Sequence, residues 1–182
     1  ANPQPVGELQ WEDDFDQYLS RWRPYAGGEL LSGPAAALTF TSTQPGDWLL
    51  LQRSLTVTEY TFEVAGSQPS GPEGAGYGLA FGVQTAEDYS AVIISNTGYI
   101  HTFRQQGRER VDIWPLQPWP HILRGDQANR VRVTVRNGMA EIRINDEHFL
   151  SVPAPAGDVG VLAITYESGQ VLRFGWAKLW SR

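Results

Sequence analysis

Asn137-Gly138 lies in the middle of the stretch from Asn129 to Asn145, and it constrains the fold more than any other feature of the chain. Both residues tolerate positive φ, so Asn-Gly between alternating apolar residues marks a two-residue hairpin turn. A turn of that length fixes the register. Val135 falls opposite Ala140, Val133 opposite Ile142 and Val131 opposite Ile144. These six share one face, and Arg130, Arg132, Thr134, Arg136, Met139, Glu141 and Arg143 share the other. That is the pattern of a half-buried antiparallel pair. The arginine stripe, interrupted by Glu141, reads as a solvated face with weak ion pairs.

The rest of the chain repeats the theme in shorter phrases. Trp11-Glu-Asp-Asp-Phe15 opens a first strand, and Trp22 and Tyr25 follow in an irregular segment. Short apolar runs then alternate with turn residues: Ala37-Leu-Thr-Phe40, Gln44-Pro-Gly-Asp47, Trp48-Leu-Leu-Leu51. Tyr60, Phe62 and Val64 form an inner face, and the Gly/Pro/Ser-rich run from Gly66 to Gly76 reads as an exposed loop. In Tyr77-Gly-Leu-Ala-Phe-Gly-Val83 the large residues, Val83 included, fall on one face. Gly and Ala fall on the other, where another layer or a ligand could approach the backbone. Tyr89–Ser95 and Tyr99–Gln105 make a second hairpin around Asn96-Thr-Gly98. Pro115, Pro118 and Pro120 then imply a rigid loop carrying Trp114, Trp119 and His121. No stretch has sustained helical periodicity, so the chain is all-β, a sandwich or barrel of about a dozen strands.

With 182 residues and 41% hydrophobic content, one domain is expected, over residues 10–182 after a polar leader at 1–9. Ala1-Asn-Pro-Gln-Pro5 has the look of a cut end, which would suit a piece of a larger surface protein. The net charge of −6 argues against nucleic acid as a partner. No apolar run of about 18 residues could insert in a membrane. Absence of cysteine removes disulfides, thiolate metal sites and a cysteine nucleophile.

Several motifs in this order resemble the concanavalin A-like lectin/glucanase superfamily. The likeness is nearest to the laminin-G-like bacterial domains and to the family first labelled DUF1080, now named for 3-keto-disaccharide hydrolases. The matching pieces are Asp13-Asp-Phe15, Gly76-Tyr-Gly-Leu-Ala-Phe81, Ala86-Glu-Asp-Tyr89 and Gly98-Tyr99. Asn129-Arg-Val-Arg-Val, Asn137-Gly, Ile144-Asn145 and Gly157-Asp-Val-Gly-Val161 complete them. The resemblance implies a jelly roll of two antiparallel sheets, one of them concave, with the first and last strands adjacent. Where that family often ends Phe-Asp-Asn-Phe, this chain has Phe174-Gly-Trp176, so an acidic group is missing. The Glu-x-Asp-x-x-Glu of the glucanases, which sets paired carboxylates on one face, is also absent.

Candidate chemistry therefore rests on aromatics. Sugars stack their apolar C–H faces on Trp and Tyr while their hydroxyls pair with polar side chains. Tyr89, Tyr99, His101, Arg104, Trp114 and Trp119 are the candidate ligand-binding residues. Trp11, Trp22, Trp48, Trp176 and Trp180 are expected between the sheets. Asp13, Asp14 and Asp16 could offer oxygens to a structural Ca²⁺, which takes about six to eight of them. The ordinary reading is a solvated strand start, with no cofactor. No catalytic residue is assigned, since Gly-x-Ser-x-Gly and metal-spaced histidines are missing. The leading expectation is a non-catalytic extracellular or cell-surface module that binds carbohydrate or another extracellular ligand through the concave sheet and rim loops. Alternatives are a glycoside hydrolase-like enzyme with an unrecognised carboxylate pair, and a structural or protein-interaction domain of a surface protein.

Overall fold

A computed structural model describes residues 4–33 and 37–182. Residues 1–3 of the polar leader lie outside the described residues. The first strand, β1 (Glu8–Asp13), begins inside the stretch assigned to the leader. A single helical turn, α1 (Tyr18–Arg21), follows it. The other strands are β2 (Arg23–Ala26), β3 (Glu29–Gly33), β4 (Ala37–Thr41), β5 (Trp48–Arg53), β6 (Tyr60–Ser70), β7 (Gly76–Thr85) and β8 (Asp88–Ile94). They continue as β9 (Tyr99–Gln106), β10 (Glu109–Pro118), β11 (Asn129–Arg136), β12 (Met139–Ile144), β13 (Glu147–Pro153), β14 (Asp158–Ile164) and β15 (Val171–Ser181).

The strands form two antiparallel sheets, a jelly-roll sandwich. The back sheet has eight strands in the order β13-β12-β11-β6-β15-β4-β3, with β1 also paired to β15. The front sheet has seven, in the order β10-β9-β8-β7-β14-β5-β2. The first and last strands are adjacent, Glu12 pairing with Lys178, as the resemblance implies.

The hairpin at β11–β12 has the expected register, Val135↔Ala140, Val133↔Ile142 and Val131↔Ile144. Those side chains are buried with Tyr60, Phe62 and Val64 of the back sheet against Leu49, Leu51, Leu79 and Phe81 of the front sheet. Truncating one of these, Phe62 for example, would cost about 3–5 kcal/mol through lost burial and a residual cavity. Asn129 ties the layers together with a polar link. Its amide donates to the Tyr77 hydroxyl at 2.8 Å and to Leu123 O at 2.9 Å, and its carbonyl accepts the Leu123 N–H at 2.8 Å. Burial pushes the Tyr77 hydroxyl up to about 12, with the Asn129 hydrogen bond opposing it.

Three local expectations are corrected. The run from Gly66 is not a loop: β6 continues through Gln68 to Ser70, and Gln68 is buried. The turn holds Gln68 in place, its amide donating to Pro72 O at 2.6 Å and its carbonyl accepting from Ala75 N–H at 3.2 Å. The proline-rich segment is likewise a strand up to Pro118. It is β10, an outermost strand of the front sheet, where a residue without an N–H removes no second ladder. Val83 is not in line with Tyr77, Leu79 and Phe81. Gly82 takes φ 58° at a register shift, and Val83 moves to the front sheet's other face.

Candidate functional site

Residues paired directly across two strands share a face, so the register sorts the front sheet. Tyr77, Leu79, Phe81, Val92, Ile94 and Ile100 point inward to the main core. Their alternates point outward: Gly78↔Ile93↔His101 and Ala80↔Ala91↔Phe103 form rows across three strands. Beside them, Gly78 and Ala80 pair with Leu162 and Gly160, which pair with Leu50 and Gln52.

This outward face is unusually apolar. Leu50, Ala80, Val83, Tyr89, Ala91, Ile93, Phe103, Leu162 and Ile164 form a second buried cluster, with Tyr25, Trp48 and Ala86 packed on it. Its centre is filled by neighbours leaning over small residues. A Cβ at Gly76 would lie 2.6 Å from Ile93 Cδ1, and one at Gly160 would lie 2.7 Å from Leu50 Cδ1.

Two hollows remain in this face. The first, of about 190 Å³, has Gly74, Gly76 and Ile93 at its base and Tyr99, His101, Leu116 and Tyr166 around it. Tyr99 and Tyr166 are 41% and 52% exposed, and Leu116 is 63% exposed, so large rings and an alkyl group stand open to solvent. His101 is held from both sides. Its Nε2 lies 2.6 Å from Asp112 Oδ1 and its ring rests 5.0 Å from that of Phe103. Neither Ser95 nor Thr97 on the rim is a nucleophile poised by that histidine: their hydroxyls bond each other at 2.8 Å. The second hollow, of about 240 Å³, lies between Trp48 and Ile164 on one side and Tyr89, Gln105, Arg108 and Arg110 on the other. Burial raises the Tyr89 hydroxyl, with Arg110 opposing the shift.

The loop that carries Tyr166 is fixed by one buried amide. Gln170 Oε1 accepts the N–H groups of Tyr166 at 2.8 Å and Glu167 at 3.2 Å. Gln170 Nε2 donates to Pro72 O at 2.9 Å, and Thr165 Oγ1 donates to Asp47 O at 2.6 Å. On the facing side, Asn96 Oδ1 accepts Gly74 N–H at 3.0 Å. The rim is therefore assembled before any ligand arrives.

The structure brings two of the six candidate residues into one hollow and a third into the other. Tyr99 and His101 line the first hollow and Tyr89 the second. Arg104 lies on the opposite face, in register with Ser90, and is occupied by an ion pair to Asp88 and a 3.1 Å bond to Ser90 Oγ. Trp114 pairs with Thr102 after a register shift, so it too leaves the face of His101. Trp119 packs edge-on against Phe149 at 5.0 Å and caps the main core. Of the tryptophans expected between the sheets, Trp48 is instead on the front face, and Trp176 and Trp180 lie on the back sheet's outer face, paired with Ala65 and Thr61 in line with Arg130 and Thr134. Trp48 was hidden by its context, because Trp48-Leu-Leu-Leu51 is apolar at every position and shows no alternation. Tyr166 and Leu116 gave no sequence signal, since both sit where a turn or proline segment was read.

Asp13, Asp14 and Asp16 do come within 4.8 Å of one another. Asp13 is already engaged: Oδ1 accepts Phe15 N–H at 2.8 Å, and Oδ2 accepts Trp22 Nε1 at 2.9 Å and Arg53 Nη1 at 3.1 Å. The Arg53 guanidinium stacks 3.8 Å above Trp11 and supplies the countercharge. The carboxylate thus works as a corner brace for Phe15, whose φ is 67°.

The back sheet's outer face is not merely solvated. Arg132 Nε donates to Glu63 Oε2 at 2.7 Å and its Nη2 lies 3.0 Å from Asp146 Oδ1, while Arg130 grips Asp146 with two bonds of 3.1 and 2.6 Å. Arg132 and Glu63 are 6% and 4% exposed. These bonds hold the Asp146 carboxyl below the usual aspartate range, Arg130 contributing most.

No family profile matches the chain, and no curated protein matches its sequence. Solved structures do match its fold. The carbohydrate binding module CBM66 from Bacillus subtilis superposes with a TM-score of 0.62 at 12% identity, over 84% of this chain and 92% of that one. The VIP36 exoplasmic/lumenal domain, in a Ca²⁺/Man3GlcNAc-bound form, gives 0.66 at 9%, over 96% and 91%. The GlcNAcα1-4Gal-releasing endo-β-galactosidase from Clostridium perfringens gives 0.67 at 11%, over 100% of this chain and 65% of that one. These likenesses show a shared fold, a jelly-roll sandwich of two antiparallel sheets. At these identities the likeness speaks for architecture, and chemistry has to be argued from the site.

Proposed function

We propose that this domain is a carbohydrate-binding module that holds its ligand on the outer face of the front sheet. The observation that carries the reading is the first hollow. Two solvent-open tyrosines, Tyr99 and Tyr166, stand beside a polar rim of Ser95, Thr97 and His101. Rings that would gain from burial, next to donors and acceptors at fixed positions, suit the alternating apolar and hydroxyl surface of a sugar. The similarity to a carbohydrate binding module and a lectin-like lumenal domain supports the same reading. Binding is favoured over hydrolysis because, among the described residues, no carboxylate lines this hollow and Asp112 is turned to His101. Retaining hydrolysis needs two carboxyl groups about 5 Å apart across the scissile bond.

The same reading places the domain outside the cytoplasm, on the surface or in the surroundings of its cell, within a larger protein. The lumenal location in the name of one fold relative supports this. The test is a glycan array, then calorimetry on each hit with Tyr99→Ala and Tyr166→Ala. Each substitution is expected to weaken binding about tenfold or more, within the ~1–3 kcal/mol of one stacked ring. An array without a hit would refute the function, and a hit indifferent to both substitutions would refute the site.

A further inference from the structure

The second hollow carries information the first does not, because it is lined by cations that no carboxylate pairs with among the described residues. Six arginines elsewhere, among them Arg53, Arg104, Arg130 and Arg132, are committed to carboxylates. Arg108, in the β9–β10 turn, and Arg110, at the start of β10, have no carboxylate within ion-pair distance among the described residues. Arg110 is nevertheless held in place: its guanidinium stacks 4.5 Å over Phe103, and its Nε reaches Gln105 Oε1 at 3.5 Å. Stacking fixes the plane of the fork and leaves its terminal N–H groups to solvent. Glu87 is the one carboxylate in the lining, so two arginines against one glutamate give +1 in a chain of net charge −6. Opposite the arginines is Trp48, and the largely buried ring of Tyr89 lines the hollow on their own side.

We infer that this hollow is a subsite for an acidic sugar, a hexuronate whose ring lies against Trp48 and Tyr89 while its carboxylate meets Arg110 and Arg108. The inference rests on the carbohydrate-binding reading and names the ligand class. A planar guanidinium matches a carboxylate with two parallel N–H···O bonds, which are about twice as strong as neutral ones. The volume of about 240 Å³ is below the range of drug-sized sites and suits a single sugar ring. Both hollows open on the outer face of the front sheet. Phe103 lies between them, with the His101 ring on it at 5.0 Å and Arg110 on it at 4.5 Å. A uronate in the second hollow can therefore belong to the same chain as a residue held by Tyr99 and Tyr166.

Calorimetry with tetrasaccharides of galacturonate, mannuronate and glucuronate, each beside its methyl ester, tests this directly. Esterification removes the charge and keeps the ring and linkage. At least one acid form is expected to bind about tenfold more tightly than its ester, as a charge-assisted pair should give. The Arg108→Gln/Arg110→Gln double variant is expected to lose that difference and keep both its melting temperature and its ester affinity. Equal binding of acid and ester in all three pairs, or a preference that survives the double substitution, overturns the inference. If neutral glycans bind with loss in Tyr99→Ala under either of those outcomes, the carbohydrate reading stands and the acidic subsite alone falls. If no saccharide binds at all, both fall together.

Discussion

The two outer faces of this sandwich use similar ingredients to opposite ends. On the back sheet, Arg130 and Arg132 converge on Glu63 and Asp146, and each charge is answered by another charge of the same chain. On the front sheet, Arg108 and Arg110 are unanswered and Tyr99, Tyr166 and Leu116 remain open. Polar groups that satisfy one another, as Arg130, Arg132, Glu63 and Asp146 do, contribute to folding and offer little to a ligand. A face with unmet hydrogen-bonding capacity and exposed rings has free energy left to release on binding.

The contrast can be broken most forcefully on the back sheet. Arg132→Met leaves Glu63 buried without its nearest cation, and is expected to cost about 3–5 kcal/mol in urea unfolding. Glycan affinity of the folded fraction should be unchanged. On the front sheet the largest stability effect belongs to the floor. A Cβ at Gly78 would lie 2.1 Å from Val92 O, so Gly78→Ala must push two strands apart, at about 1–3 kcal/mol, and should distort both hollows. Tyr166→Ala sharpens the comparison from the other side: about tenfold or more in binding, and within about 0.5 kcal/mol in unfolding.

Acid gives a smaller and signed effect. Asp146 is held below its ordinary 3.8, so its ion pairs contribute stability that is complete above that value and is lost as pH falls through the lowered folded value. Asp146→Asn should therefore be less stable than the parent at pH 7, and the difference should shrink as pH falls through the lowered value, as read by chemical unfolding. The smallest effect is expected at the exposed pair Lys178–Glu12, 3.5 Å apart. Glu12→Gln, which leaves Lys178 Nζ over the Trp176 ring at 4.3 Å, should change stability by less than about 0.5 kcal/mol, the usual worth of such a contact.

How much of this was legible depended on alternation. Between Asn129 and Asn145 every second residue is apolar and the turn is unambiguous, so face and register followed directly. Where both faces are covered by apolar groups, alternation disappears and face assignment fails, as at Trp48. Prolines read as breakers in β10 because single residues do not reveal that a strand is outermost. Period two separates Arg104 from Tyr99, His101 and Phe103, as the register has it, so only its chemistry, and not its place on the strand, grouped it with the ligand candidates. The hollows are tertiary. Tyr99 and Tyr166 are 67 positions apart in the chain (166 − 99), and only the strand order brings them to one rim.

The buried amide of Gln170 has a kinetic consequence. It fastens residues 166–167 to Pro72, and the backbone N–H of the same residue donates to Ser42 Oγ at 2.9 Å, so three loops share one clasp. A rim that is already ordered loses little freedom when a ligand settles, and no segment has to open before the ligand departs. Association is then limited by encounter and dissociation by the few contacts at the rings, which gives short residence times at a single site. Firm attachment to a polymer would come from many such brief engagements along its length.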